Sequence, residues 1–378
     1  MREPTIAVTG VSPVQPGLPV MRAIRDAGYA GRFIGLSYTP LDPIHYEPDL
    51  VERCYLIPHP AQGAAHLLDR LLEVHSDGKI DVLIPTLDAE LPVLRKLAPR
   101  LEAEGIHMLL PTAQQLEIRG KAKLAAWAAE AGILTPTTRV AHSAEAAHRL
   151  AYDLRYPFFL KGQYYGAARV SDAAGFHAAL DMTVRSWGYP VIMQEAIFGT
   201  EYDVIILGGR TGELLGAVPM KKLQLDGSNK AWGGVTVADP AIGQVVARAM
   251  DSLRWRGIFE LELMRGTRDG QYYLLEVNPR VPAWVRLTVA AGQNMPWALV
   301  KLALGEDVPP FPDYVSGAMT LRQTYDVVSP MSIYEALSLT GKIDHRLQRE
   351  GAAIALERQP TPGLAPAPGP GPGPGKES

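Results

Sequence analysis

The sequence contains a single cysteine, Cys54, among 378 residues. One cysteine excludes an intrachain disulfide and a cysteine-ligated metal cluster. An excess of charge of either sign is also missing, because 40 Asp plus Glu stand against 37 Lys plus Arg, for a net charge of −3. This balance gives no electrostatic reason to expect a nucleic acid or an anionic membrane as a partner.

Long apolar segments are absent as well. No apolar run approaches the roughly 20 residues that span a bilayer, and the opening MREPTIAVTG lacks the apolar stretch of a signal peptide. The remaining composition is that of an ordinary globular protein, 47% hydrophobic and 20% charged. We therefore expect a cytoplasmic protein of two or three domains, with no membrane partner.

The first part of the chain alternates between short apolar strands and helices. The pattern predicts strands at 5–8, 33–37, 82–85 and 108–110, and helices at 18–27, 67–75 and 90–104. Alternation of this kind predicts an open parallel sheet, which we place in a domain of residues 1–112. The glycine-bounded turn GVSPVQPG at 10–17 does not fit a dinucleotide fingerprint. We expect it to shape the substrate cleft instead.

After residue 112 the pattern changes to α+β, with many antiparallel strands. Helices are predicted at 114–131, 144–154 and 241–253, and strands at 138–140, 158–161, 191–195, 203–207, 214–219, 259–264 and 271–277. We place this second domain at residues 113–316. A strand at 318–328 and a helix at 332–339 form an extension over 317–358. Residues 359–378 are rich in Pro and Gly, and such a tail is expected to be disordered.

The strongest chemical signal is a predicted strand pair around a DG turn, at 257–280. Glu276 and Asn278 project from one face, because residues two apart in a strand do so. The paired strand brings a second carboxylate beside them, supplied by Glu260 or by Glu262. Two carboxylates and an amide oxygen form a hard-oxygen site suited to Mg²⁺. The rival interpretation is a surface hairpin with solvated charges, but apolar neighbours of Glu276 argue against it.

The segment LLEVNPR, which ends at Arg280, resembles the metal-binding strand of ATP-grasp enzymes such as biotin carboxylase, carbamoyl phosphate synthetase and D-alanine–D-alanine ligase. Three upstream segments resemble further motifs of this superfamily in the same order: GKAKLAAWAAEAGILTPTT, YPFFLKG and VIMQEAIFGTEYDVIIL. The resemblance covers about residues 80–305. It implies an α/β and α+β fold, with an N-terminal parallel-sheet domain before a two-lobed ATP-grasp domain. The lid lobe would lie at about 137–198.

For ATP, the resemblance implies contacts from each of the three upstream segments. Lys121 would reach the phosphates, and Lys161 would contact the α-phosphate and the adenine edge. Backbone groups of Glu195, Ala196 and Ile197 would meet adenine, and Glu201 would bind the ribose hydroxyls.

The sequence departs from the superfamily in two of these segments. Gly120 stands where an Asp often precedes the entry lysine. The lid loop GQYYGAARV has only Gly162 and Gly166, although such loops are usually rich in Gly and Ser. Tyr164 and Tyr165 would either face the substrate or pack against the protein.

For the metal, the resemblance implies that Glu262, Glu276 and Asn278 hold Mg²⁺, with Mn²⁺ as an alternative ion. It favours Glu262 over Glu260 as the second carboxylate. Arg280 would stabilise the transferring phosphoryl group.

The acceptor side is predicted from the segments around these strands. Lys222, or its neighbour Lys221, would neutralise developing phosphate charge. The glycines of Gly233–Val235 would allow close backbone approach to an anion. Trp284 and Arg286 would line a carboxylate pocket, or would be a half-buried Trp and a surface Arg.

The implied function is that of a ligase, which phosphorylates a carboxylate with Mg·ATP and couples the acyl phosphate to an amine, releasing ADP and phosphate. Its substrates would be small-molecule or peptide carboxylates and amines, and a homodimer is an open alternative for its assembly. One rival is a bicarbonate-activating carboxylase or a carbamoyl phosphate synthetase-like enzyme. Another is a non-catalytic ATP-binding regulatory protein. The complete acidic pair, together with Asn278 and Arg280, argues against this second rival.

Overall fold

The computed structural model describes residues 2–12, 14–162, 167–227, 230–324 and 326–347, without the side chains of Lys121 and Ala122. Two compact units divide the chain, Met1–Ile343 and Asp344–Ser378. The second unit is described only over 344–347. The predicted tail at 359–378 therefore lies outside the described residues, as do Tyr164 and Tyr165.

The strands, in chain order, are β1 (Ile6–Val8), β2 (Phe33–Ser37), β3 (Arg53–Leu56), β4 (Val82–Ile84), β5 (Thr138–Ala141), β6 (Phe158–Lys161), β7 (Ala167–Val170), β8 (Val191–Glu195), β9 (Gly199–Gly208), β10 (Leu214–Leu225), β11 (Ala231–Thr236), β12 (Gly257–Gly266), β13 (Tyr272–Asn278), β14 (Met319–Leu321) and β15 (Lys342–Asp344).

The helices are α1 (Gly17–Asp26), α2 (Ala64–Gly78), α3 (Leu91–Ala103), α4 (Ala113–Glu117), α5 (Lys121–Glu130), α6 (Ala144–Asp153), α7 (Ala173–Trp187), α8 (Pro240–Leu253), α9 (Arg286–Ala290), α10 (Met295–Ala303) and α11 (Met331–Thr340). Within the described residues, no helix is both long and apolar enough to cross a membrane.

The N-terminal sheet contains parallel strands in the order β3-β2-β1-β4. Both of its faces are covered, so its strands are apolar on both sides. Ile6 and Val8 of β1 pack into one core, which also contains Met21 of α1, whereas Ala7 packs into another with Leu67 of α2. The predicted parallel sheet is confirmed.

The central sheet is antiparallel and has six strands, in the order β13-β12-β9-β10-β11-β14. One of its faces packs against α5 and α8 in a core that includes Val204, Phe259 and Trp255. A four-stranded antiparallel sheet, in the order β5-β8-β6-β7, packs against α6 and α7 in a separate core. The predicted combination of α/β and α+β organisation is confirmed.

Three predicted elements differ in the structure. The helix predicted at 114–131 is broken into α4 and α5, because Gly120 adopts an extended backbone conformation between them. Thr112 and Gln115 cap α4 reciprocally, which fixes its start. The strand predicted at 108–110 is replaced by a single bridge from His107 to Val82. Of the described residues in the strand predicted at 318–328, only Met319–Leu321 form a strand, β14, which pairs with Gly233–Val235 of β11.

Candidate functional site

The register of the central sheet assembles a row of acidic side chains. Glu262 of β12 lies opposite Glu276 of β13, and Glu260 lies opposite Asn278. On the other side of β12, Asp203 of β9 lies opposite Glu262. Directly opposed residues in antiparallel strands project from the same face. The strand pair therefore brings the predicted metal-binding residues together, whichever of the two β12 carboxylates is used.

Lys222 of β10 is a buried cation within this acidic row. Its Nζ lies 3.1 Å from Glu201 Oε2, 3.1 Å from Asp203 Oδ1 and 3.9 Å from Glu262 Oε2, and only 5% of its side chain is exposed. Burial lowers the pKa of Lys222, but the surrounding carboxylates outweigh burial and raise it above its ordinary value. Of the two predicted lysines, Lys222 is thus the one within the acidic row, since Lys221 precedes it in the strand and projects from the other face.

Asp203 belongs to the site and was missed in the sequence. It is buried, and burial, together with the charges of Glu260 and Glu262, raises its pKa well above the ordinary value, while Lys222 opposes the shift. A signal was available, because Asp203 follows Glu201 by two residues in a strand and shares its face.

Glu260 is enclosed by donors rather than open to the cleft. Its Oε1 accepts from Trp284 Nε1 at 2.6 Å, and its Oε2 accepts from Asn278 Nδ2 and from an Arg280 guanidinium nitrogen, both at 3.0 Å. Burial raises the pKa of Glu260, and the Arg280 charge opposes that shift. Glu260 therefore links three residues that surround the acidic row.

Glu262 is placed differently. Its side chain is 29% exposed, and its Oε1 accepts from Asn278 Nδ2 at 2.7 Å. Glu276 is also half-buried. Glu262 and Glu276 therefore present carboxylate oxygens where a ligand can reach them, which Glu260 does not.

The donor set fits a hard cation. Two opposed, partly accessible carboxylates supply the oxygen chemistry that Mg²⁺ uses in proteins. The adjacent Asn278 donates through Nδ2 to Glu260 and Glu262, and its Oδ1 is a further oxygen donor. Over the part of the chain that the structure describes, no group of three or more His, Cys, Asp and Glu side chains is arranged to hold a metal ion. A cation here would consequently depend on Glu262, Glu276, Asn278 and phosphate oxygens together.

The predicted nucleotide residues lie in the four-stranded sheet and at its junction with the central sheet. Lys161, at the end of β6, donates to Gln194 Oε1 at 2.6 Å, and Gln194 in turn donates to Thr138. Glu195 ends β8, and its carboxylate accepts from Thr137 N at 3.3 Å. Lys121 begins α5, but its side chain lies outside the described residues.

The residues that follow Glu195 connect the two sheets. Ala196 N donates to Pro157 O at 3.3 Å, and Ile197 precedes the start of β9 at Gly199. Glu201, two residues into β9, is bound to Lys222. The predicted adenine-contacting and ribose-contacting positions therefore occupy the connection between the two sheets and the start of the acidic row.

Of the residues predicted on the acceptor side, Trp284 and Arg286 line a cavity, whereas the glycines at 233 and 234 are explained by packing. Trp284 and Arg286 both line a wide cavity of about 1150 Å³, and Arg286 also binds Asp26 at 2.8 Å. Close packing favours glycine at positions 233 and 234. A Cβ at Gly234 would lie 2.3 Å from Met220 Sδ, and one at Gly233 would lie 2.9 Å from Leu321. The turn at 10–17 contributes Val14 and Gln15 to the cavity wall.

Comparison with known families supplies the context for this geometry. Residues 189–324 match the profile of a family described as ATP-grasp in the biosynthetic pathway with Ter operon. The chain is 25% identical over 299 residues to the carbamoyl phosphate synthase large chain of Gemmatimonas aurantiaca, covering 75% of this chain and 26% of that protein. It is 30% identical over 148 residues to the D-alanine–D-alanine ligase of Xanthomonas axonopodis pv. citri, covering 36% of this chain and 46% of that protein. The chain thus spans about a quarter of the synthase and under half of the ligase.

Solved structures share the fold at low sequence identity. The biotin carboxylase of Campylobacter jejuni superposes with a TM-score of 0.64 at 16% identity, covering 81% of this chain and 72% of that one. The L-amino acid ligase of Bacillus licheniformis gives a TM-score of 0.58 at 20% identity, covering 80% of this chain and 75% of that one. These likenesses show that the chain has the fold of these proteins.

Proposed function

We propose that this chain, which resembles ATP-grasp proteins in sequence and in fold, is an ATP-dependent ligase that phosphorylates a carboxylate and couples the acyl phosphate to an amine. One observation carries the proposal. The paired strands β12 and β13 place Glu262, Glu276 and Asn278 side by side, and Glu260 holds Arg280 next to them. The names of two similar proteins, a D-alanine–D-alanine ligase and an L-amino acid ligase, support the ligase class.

In this proposal Glu262, Glu276 and Asn278 hold Mg²⁺, or Mn²⁺ in its place. When bound, the ion neutralises charge on the ATP phosphates. Glu260 is a positioning residue, because each of its oxygens already accepts hydrogen bonds from buried neighbours.

The nucleotide would lie between the four-stranded sheet and the central sheet. Lys161 and Lys121 bind phosphate oxygens, and backbone groups of residues 195–197 bind adenine. Glu201 accepts from the ribose hydroxyls. Because Glu201 is bound to Lys222 at 3.1 Å, Lys222 orients this carboxylate for that role.

The proposed chemistry is a phosphoryl transfer followed by an acyl transfer. A carboxylate oxygen of the substrate bonds to the γ-phosphorus, and the bond from that phosphorus to the β–γ bridging oxygen breaks, so that its electron pair leaves with ADP. Arg280 donates hydrogen bonds to the transferring group, whose oxygens carry the charge. The amine nitrogen then bonds to the carbonyl carbon, phosphate leaves with the C–O electron pair, and the amine proton passes to solvent.

Bicarbonate activation is the second candidate, since a carbamoyl phosphate synthase and a biotin carboxylase are among the similar proteins. We further propose that residues 1–112 and 113–316 are the two domains and 317–358 an extension, in a cytoplasmic enzyme that is a monomer or a homodimer.

The test is a screen of carboxylate and amine pairs for release of ADP and phosphate from Mg·ATP. We expect at least one carboxylate to stimulate ADP release strongly over its absence. Stimulation by bicarbonate alone would select the second candidate. Binding of Mg·ATP without turnover for any pair would indicate a regulatory ATP-binding protein and contradict the proposal.

A further inference from the structure

The cavity beside Trp284 is unusually large for a site that takes a very small substrate. Its volume is about 1150 Å³, whereas ligand pockets for drug-sized molecules occupy roughly 300–1,000 Å³. Bicarbonate or acetate would leave nearly all of this space empty. The volume therefore indicates a substrate with a large body.

The walls of the cavity are mainly apolar. One wall comes from the N-terminal part of the chain and includes Leu18 and Tyr46, and the other comes from β11 and the residues after β14 and includes Trp232, Met331 and Tyr334. Side chains of this type stabilise a ligand by removing apolar surface from water. The occupant is consequently apolar over much of its length.

The charged residues of the lining are three arginines and Asp326. Arg22 lies 3.1 Å from Glu47, and Arg286 lies 2.8 Å from Asp26. Arg322 differs from both, because among the described residues no carboxylate lies within ion-pair distance of its guanidinium. Its guanidinium carbon instead lies 5.8 Å from the centre of the Trp232 ring. Burial lowers the pKa of Arg322, with the charge of Asp226 opposing the shift.

Arg322 also lies on the reactive face of the central sheet. Lys222 of β10 is opposite Gly234 of β11, which is opposite Thr320 of β14. Arg322 directly follows β14, and its N donates to Trp232 O at 2.9 Å, which continues the pairing with β11. Opposed residues share a face, and so do residues two apart, which puts Arg322 on the side that carries Lys222. Two strand spacings separate their rows, about 10 Å, and both side chains are long. An anion at Arg322 therefore lies on the face of the sheet that carries the acidic row.

We infer that the cavity binds an organic acid with a large apolar body, its carboxylate at Arg322 and its body against Trp232 and Tyr334. This inference rests on the proposed function, in which that carboxylate receives the phosphoryl group. The planar guanidinium suits a carboxylate, which it binds through two parallel hydrogen bonds. Trp284 connects the cavity wall to Glu260 and so to Arg280, which places the bound acid next to the phosphoryl-transfer residues.

A series of straight-chain acids from acetate to octanoate tests whether the cavity binds the apolar body of the substrate. With hydroxylamine as a general nucleophile, kcat/KM for ADP release should rise about fourfold for each added methylene group, the gain expected for burying that group. The primary amide of each acid is the matched control for charge and should neither bind nor release ADP. A flat series, or bicarbonate as the best substrate, would overturn the inference.

Arg322→Met tests the anion contact. It should raise KM for octanoate about tenfold or more, because a hydrogen-bonded charge contact is lost, while KM for ATP stays constant. Arg100→Met, on the exposed surface of α3, removes the same charge elsewhere and should change neither constant. Trp232→Leu provides a second variant, which should flatten the response to chain length. Unchanged kinetics in Arg322→Met and Trp232→Leu would reject the assignment.

Calorimetry separates this inference from the proposed function. If Mg·ATP binds but no acid releases ADP, the proposed function fails. In that case, binding of octanoate to the wild-type protein but not to Arg322→Met would still support the cavity assignment. Equal binding of octanoate and octanamide would refute that assignment, and so would a failure of both to bind. Light scattering tests whether a second copy of the chain occupies the cavity. A dimer that is dissociated by Met331→Asp but not by octanoate would assign the cavity to that second copy and would also overturn the inference.

Discussion

Glu260 and Glu262 stand two residues apart on one strand, yet their surroundings give them different parts in the site. Strand periodicity puts both on the same face, so the sequence pattern alone left the second metal ligand open. The long-range partners separate them, because Trp284 and Arg280 both donate to Glu260, whereas Glu262 is partly exposed. Contacts with residues 20 or more positions away are not visible in a local pattern.

Substituting each glutamate by glutamine should have distinguishable effects. Glu262→Gln should raise the Mg²⁺ concentration needed for half-maximal ADP release about tenfold or more, because a charged ligand is lost. Glu260→Gln should lower kcat with little change in the Mg²⁺ requirement or in KM for ATP, since it loosens Arg280 and Asn278. Titration of activity with Mg²⁺ checks both. The reverse assignment of these two effects would make Glu260 the ligand.

Lys222 and Asp203 form a buried pair whose separation should be costly. Lys222→Met leaves Asp203 buried without its cation, which should lower the free energy of unfolding by about 3–5 kcal/mol at neutral pH. The pKa of Asp203 is raised in the folded state, so the folded variant binds a proton over a pH range in which the unfolded chain has lost it. Stability then falls as pH rises through that range, from about pH 4 upward.

Urea unfolding of Lys222→Met at pH 5 and pH 8 measures this effect. The variant should regain part of its lost stability at pH 5. Lys221→Met, which alters the neighbouring residue on the opposite face, is the matched control and should unfold with nearly wild-type stability at both pH values. An equal loss in Lys222→Met at the two pH values would show that Asp203 does not take up a proton.

At the scale of elements, β9 and β12 hold the acidic row, and their close approach depends on a glycine. A Cβ at Gly208 would lie 1.9 Å from the Trp255 carbonyl oxygen, so a side chain there must push the backbone of the neighbouring segment. Gly208→Ala should lower the free energy of unfolding by about 1–3 kcal/mol through overpacking. Thermal or urea unfolding measures the loss.

Gly243 provides the matched control for Gly208. It lies in α8, is exposed, and has no atom within 4 Å of an added Cβ. Gly243→Ala should therefore raise the free energy of unfolding by about 0.5–1 kcal/mol, since glycine is unfavourable inside a helix. Destabilisation of both variants to the same extent would contradict the steric argument.

Elements with a strong local pattern were predicted well. The strands at Phe33–Ser37, Phe158–Lys161 and Val191–Glu195 have the predicted bounds, because each is a short apolar run between turn residues. The break at Gly120 was not predicted, since the segment at 114–131 is helical in composition. In the structure Gly120 has an extended backbone, and Gln115 of α4 donates to the carbonyls of Leu253 and Arg254, which lie more than 130 residues away in the chain. Such distant partners override local propensity.

At the scale of the whole molecule, the sequence indicated a resemblance to ATP-grasp enzymes and the acidic strand pair, but not the cavity. The cavity is formed where the turn at 10–17, the segment after Arg280 and the residues after β14 meet, and these lie far apart in the chain. Arg322 has no motif that marks it, and its position beside Trp232 follows only from the pairing of β11 with β14.

The central claim is that the substrate carboxylate receives the γ-phosphoryl group of ATP. An acid labelled with ¹⁸O in its carboxylate, incubated with the enzyme, Mg·ATP and hydroxylamine, tests this claim most directly. When the acyl phosphate is cleaved at the carbonyl carbon, one carboxylate oxygen leaves with the phosphoryl group, so mass spectrometry should find ¹⁸O in inorganic phosphate together with ADP. Label in AMP, with release of pyrophosphate, would show attack at the α-phosphorus and contradict the account.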